Sequence, residues 1–112
     1  MIDIHAEATA EKRALAEYVD GRAAAVFGTH THVQTADEQI LKQGTGFITD
    51  IGMAGPIDSV LGVKSEGVIQ KFITKMPVRF EVADGDCMLC AAVFTINPKQ
   101  RKTTEIERLK II

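Results

Sequence analysis

No stretch of this 112-residue chain stays apolar for the ~18 residues of a membrane span, so a transmembrane helix is excluded. The chain also lacks a basic start followed by an apolar signal core. It opens Met1-Ile2-Asp3, and a cytoplasmic location is the expectation. Neither sign of charge dominates. Lys and Arg number 13 against 15 Asp and Glu, and a net charge of −2 gives no electrostatic case for a nucleic-acid polymer or an anionic membrane. Internal repeats, low-complexity tracts and a linker between domains are all missing. What remains is one domain's worth of chain, 46% hydrophobic and 25% charged, the composition of an ordinary globular protein.

Cysteine is scarce. Cys87 and Cys90 form one CxxC. A redox CxxC sits at a turn entering a helix, and a zinc site usually needs two more ligands. This pair lies within CMLCAAVF, residues 87–94, which reads as a buried strand. Positions three apart on a strand face opposite ways, so two separately packed thiols are expected.

Histidine is nearly as scarce, and its three copies are placed alike. His30 and His32 lie in FGTHTHVQTAD, residues 27–37, just past the apolar run 23–27; His5 follows Met1-Ile2-Asp3-Ile4. All three follow apparent strand ends, where ligands and catalytic loops collect in α/β proteins. Two neutral imidazoles at i and i+2 on an extended segment project to one side and suit a divalent transition metal. Short histidine motifs also arise by chance, and the competing reading is three surface histidines near loops.

The order of elements follows from periodicity. Residues 1–5 read as a strand with almost no lead-in. Thr9 suits a helix N-cap, with Ala10, Ala14, Leu15, Tyr18 and Val19 forming one apolar stripe and Glu11, Lys12, Glu17 and Asp20 facing water. Gly21 stops that helix, and residues 23–27 give a second strand, completing a right-handed βαβ unit. Residues 36–41 suggest a short turn, 47–49 a third strand, and the glycine-rich stretch 52–62 a loop. Ser65 begins a helix with Val68, Ile69, Phe72, Ile73 and Met76 on its apolar side, ended by Pro77. Val78, Phe80 and Val82 then alternate with Arg79 and Glu81 as a half-buried strand; residues 83–86 turn into a longer strand at 87–97, and 103–111 forms a last one.

DIHAEAT (3–9) followed by GTHTHVQTAD (28–37) resembles the second half of a calcineurin-like metallophosphoesterase, most closely the bacterial branch of cyclic-nucleotide phosphodiesterases. GFITDIGMAGP (46–56), DSVLGV (58–63) and PVRFEVA (77–83) extend the match over most of the chain in the right order. The resemblance implies an α/β fold: half of a four-layer α/β/β/α sandwich, a parallel βαβ portion followed by antiparallel strands. It implies that residues 1–112 are one C-terminal portion whose N-terminal half is absent.

Carried over from the family, His5 and His30 would bind one metal and His32 a second, so the three are expected to meet at the ends of adjacent strands. Paired metals clamp phosphoryl oxygens and generate hydroxide near neutral pH. Imidazole ligands favour Fe, Mn, Zn or Co over Mg, and they bind only when neutral. Thr29, Thr31 and Asp50 are candidates for hydrogen bonds that orient these ligands, with Asp3 a further one; turn chemistry is the plainer reading of the threonines. Glu7 and Asp37 are expected to be structural or solvated. The family's other ligands and its leaving-group histidine belong to the missing half, so no catalytic residue is assigned here.

Two functions follow. In one, the chain works with its N-terminal half as a dimetal phosphodiesterase on cyclic nucleotides or related small phosphoesters. In the other, it is a truncated, inactive fragment that binds metal weakly at most and self-associates. A homo-oligomer is expected in either case.

Overall fold

The computed structural model describes residues 1–112. A four-stranded sheet is built from β1 (Ile2–His5), β2 (Ala25–Thr29), β3 (Gln39–Ile40) and β4 (Gly46–Ile48), in the order β1-β2-β4-β3. β1, β2 and β4 run parallel, and β3 returns antiparallel along β4. Helix α1 (Thr9–Tyr18) makes the crossover from β1 to β2. A second sheet, all antiparallel, follows in the order β5 (Ala54–Pro56), β6 (Cys87–Asn97), β7 (Lys102–Ile111). Between β5 and β6 lies helix α2 (Ser65–Thr74). The fold is therefore α/β, a parallel βαβ portion followed by an antiparallel one.

Ala16, Val26, Leu41 and Phe47 form the buried centre, flanked by Ile2, Ile4, Val19 and Ala23. The two sheets are tied by side chains rather than by shared strands. Phe27 of β2 meets Phe94 of β6. The Thr103 hydroxyl donates to the Ala24 carbonyl at 2.6 Å, Gln34 Nε2 donates to the carbonyls of Ala91 (2.9 Å) and Leu109 (3.2 Å), and Arg108 pairs with Glu38 at 2.8 Å.

Several sequence expectations need correction. Helix α1 has Ala8, not Thr9, at its N-cap, and no side chain caps it. Its buried face is turned from the expected stripe: Lys12 and Ala16 are buried, whereas Ala10, Ala14 and Tyr18 are exposed. Gly28 does not end β2, which continues through it to Thr29. The turn at 36–41 holds β3, and the glycine-rich loop 52–62 holds β5. Residues 78–82 form no strand; Val82 makes one isolated bridge to Val63, and Phe80 and Val82 remain exposed. Alternation is a necessary pattern for a half-buried strand, but it cannot create the neighbouring strand that would pair with it. Cys90 is buried and Cys87 exposed, so the pair does face opposite ways, with one thiol packed rather than two.

Candidate functional site

The C-terminal ends of β1, β2 and β4 lie side by side, and the three strands deliver His5, Thr29 and the residues before Asp50 to one edge of the sheet. Register alone places His5 opposite Thr29. His30 follows immediately, and its ring meets the His5 ring edge-on with centroids 4.8 Å apart.

Proton bookkeeping defines this pair. The single Thr29 hydroxyl proton goes to Asp3 Oδ1 at 3.1 Å, so Thr29 Oγ1 can only accept from His5 Nδ1, 3.1 Å away. His5 Nε2 is then the lone-pair nitrogen of a neutral ring. On the other side, the Glu7 carboxylate accepts from His30 Nε2 at 2.8 Å, which makes Nδ1 the lone-pair nitrogen of His30. These two nitrogens face each other at 3.0 Å. Two neutral rings would oppose lone pair to lone pair; a cation between them, or an added proton, removes the conflict. At a metal–nitrogen bond length of about 2.0–2.1 Å, nitrogens this close can reach one ion together. The donor set therefore fits part of a transition-metal site, with each ring's outer nitrogen held by an acceptor, as metal-ligating histidines require.

His32 Nδ1 lies 3.0 Å from the Leu61 carbonyl oxygen. It borders a cavity of about 420 Å³ lined also by Met53, Ile57, Met88, Arg108 and Lys110. His30 and His32 do not share a side of an extended segment: both have positive φ, 112° and 64°. No group of three or more His, Cys, Asp or Glu side chains in the chain is arranged to hold a metal ion.

Of the orienting candidates, Thr29 touches a histidine and Asp3 acts through it. The Thr31 hydroxyl stays within its own turn, against Val33. Asp50 reaches the histidine loop through the backbone: its Oδ2 accepts from Thr31 N at 2.9 Å and from Lys12 Nζ at 3.0 Å, and its Oδ1 from Gly52 N at 2.9 Å. Lys12 and Asp50 are both 0% exposed. Lys12 was expected to face water and is buried against Asp50, and Glu7, expected to be structural or solvated, pairs with His30; its position two residues after His5 was the available signal.

Three aspartates carry the acid response of the parallel sheet: Asp50 and Asp37 at the histidine edge, and Asp20 at the opposite end of the strands. Burial raises Asp50, but the amides of Gly52 and Thr31 and the Lys12 ammonium outweigh it and hold its pKa below the ordinary value. Asp37 and Asp20 are likewise lowered against the effect of burial, Asp37 by the hydroxyls of Thr35 and Thr49, Asp20 by the amides of Gln43 and Thr45. A carboxylate held below its unfolded pKa stabilises the fold fully above that value, about 3.9, and loses the contribution as pH falls through the folded one. The urea midpoint should thus drop below about pH 4, and Asp37→Asn should shallow the drop. An identical acid profile in that variant would contradict the assignment.

The chain has relatives among known proteins. The model of the YmdB-like protein family matches residues 1–109. A 2',3'-cyclic-nucleotide 2'-phosphodiesterase of Bacillus subtilis is 56% identical over 110 residues, covering 98% of this chain and 42% of the relative. The crystal structure of a novel phosphatase from Mycoplasma pneumoniae superposes with a TM-score of 0.94 at 38% identity, covering 99% of this chain and 40% of that one. The crystal structure of a hypothetical protein from Thermus thermophilus gives 0.91 at 40% identity, covering 97% and 43%. The chain thus spans about two-fifths of the length of each.

Proposed function

The chain belongs to the YmdB-like protein family, and from that premise we propose that it is the C-terminal part of a calcineurin-like dimetal phosphodiesterase acting on cyclic nucleotides or related small phosphoesters. In this reading its fold is part of a four-layer α/β/β/α sandwich. His5 and His30 hold one transition metal and His32 the other; Fe, Mn, Zn and Co all suit imidazole. When bound, such a pair supplies charge to the phosphoryl oxygens and a hydroxide nucleophile. The chain's own residues do the positioning. Glu7 keeps the outer His30 nitrogen protonated, and Thr29, itself fixed by Asp3, does the same for His5. Each ring thereby presents a lone pair inward.

The observation that carries this reading is the 3.0 Å approach of His5 Nε2 to His30 Nδ1 with both outer nitrogens occupied. The remaining ligands and the leaving-group acid belong, in this proposal, to the part of the relatives that the chain does not span. The test follows directly. The 112-residue chain alone should not hydrolyse bis-p-nitrophenyl phosphate with added Mn²⁺. A fusion that places the preceding part of the Bacillus subtilis relative before Met1 should do so. In that fusion, alanine at His5, His30 or His32 should lower kcat by about 10²–10³, the usual cost of removing one member of a charge-stabilising site. A fusion that turns over equally well without these histidines would sink the assignment.

A further inference from the structure

We infer that the buried Lys12–Asp50 pair is a positioning device for the turn His30–Thr31–His32, a role that rests on the proposed histidine site. Both side chains are fully buried and 3.0 Å apart. A buried ion pair is a poor source of stability, since apolar side chains of equal volume commonly serve a core as well or better. Its presence calls for a reason that apolar residues cannot satisfy, and the hydrogen bonds supply one. Asp50 Oδ2 accepts from the amide of Thr31, the one residue between His30 and His32. Both of those histidines have backbone torsions on the positive-φ side that side chains rarely adopt, so the turn holds only where its surroundings fix it.

Residue 50 fixes it at two points. Its side chain holds Thr31, and its backbone holds Thr35, with Thr35 N donating to the Asp50 carbonyl at 3.0 Å and Asp50 N donating to Thr35 Oγ1 at 3.0 Å. Gly52 N closes the remaining carboxylate oxygen. Lys12 neutralises this carboxylate from behind, and reaches it because Gly28 of β2 has no side chain: a Cβ there would lie 2.7 Å from Lys12 Cδ. Helix α1, the centre of β2 and the end of β4 therefore meet under the histidine turn. Lys12 and Asp50 touch no imidazole themselves; they act through the Thr31 amide.

The test separates positioning from bulk stability. Lys12→Met with Asp50→Leu replaces the pair by apolar groups and removes the acceptor for Thr31 N. In the 112-residue chain this variant should stay folded, its unfolding midpoint lowered by no more than the loss of the two amide–carboxylate hydrogen bonds, while the His30 and His32 ring proton resonances move in the metal-free protein. In the fusion with the preceding part of the Bacillus subtilis relative, Co²⁺ affinity, followed by its visible absorption, should fall by about 10–100-fold, as when the outer partners of a metal ligand are lost. Should that variant fail to fold, Lys12→Met with Asp50→Asn carries the same readouts, because one amide oxygen cannot replace two carboxylate oxygens facing Thr31 N and Gly52 N. Unmoved ring resonances in either folded variant would overturn the inference. A fusion with otherwise wild-type residues that takes up no Co²⁺ would count against the metal reading alone, and the metal-free resonances would still decide the role of the pair.

Discussion

Gly28→Ala should unfold the chain or come close to it. The added Cβ would stand 1.8 Å from the Thr49 carbonyl oxygen and 2.9 Å from its carbon, and both are backbone atoms of the adjoining chain segment after β4. A flexible side chain could yield at such a distance; a carbonyl next to the parallel pairing of β2 and β4 can move only if those strands separate. The same Cβ meets the stem of Lys12, so the substitution also pushes the ammonium away from Asp50 and leaves a fully buried carboxylate without its cation. Overpacking a core typically costs about 1–3 kcal/mol, and breaking a buried pair about 3–5 kcal/mol more. Together these approach the lower half of the ~5–15 kcal/mol that holds a typical domain, and a chain with so small a core belongs at that end. Gly62→Ala is the control. Its φ of 99° opposes a side chain, but nothing lies within 4 Å of the new Cβ, so the cost should be confined to backbone strain of about 1–2 kcal/mol. Thermal denaturation followed by far-ultraviolet circular dichroism distinguishes the two. A Gly28→Ala midpoint within a few degrees of wild type would show that β2 and β4 are not held as close as described.

The contrast between Gly28 and Lys12 shows what a single sequence can and cannot disclose. β6 was legible to the residue, because an apolar run of that length bounded by turn residues has few alternatives. The βαβ order was legible from two apolar runs around one helical period. The phase of α1 was not. Lys12 and Asp50 are charged, and charge reads as solvent exposure unless its partner is known; that partner lies 38 positions away. Once Lys12 is turned inward, Ala16 follows it and Tyr18 is carried to the surface. The candidate site was legible in its residue types and strand ends. The meeting of His5 with His30 was expected from parallel strands; the positive φ of His30 and His32 was not, because the acceptor for the Thr31 amide between them, Asp50, lies 19 positions further along the chain. Glu7 read as structural or solvated for a similar reason: its role comes from a ring nitrogen brought to it by another strand.

The 112-residue chain should sediment above its 12.2 kDa monomer mass at micromolar concentration. Helix α2 was expected to carry an apolar side, and most of that side is left uncovered. None of its residues is buried; Phe72 is 70% exposed and Ile73 76%, with Ile69 and Met76 beside them. The shape agrees with a short supply of interior. The radius of gyration is 16.8 Å, where a compact domain of this length would have about 13 Å, and only 16 of 112 residues are buried. β1 also lies at the edge of its sheet, with one flank unpaired. Covering four such side chains returns about 1.5–3 kcal/mol each when burial is complete, so two copies meeting face to face gain on the order of 10–20 kcal/mol gross. Association costs an estimated ~4–15 kcal/mol. The terms are of similar size, which makes a concentration-dependent dimer the expected species rather than a permanent one. Phe72→Glu with Ile73→Glu should return the chain to a monomer without loss of helical signal, since neither side chain supports the fold from its exposed position. Light scattering across a concentration series measures both. A wild-type chain that stays monomeric at high micromolar concentration would show that the α2 face does not join copies of this chain.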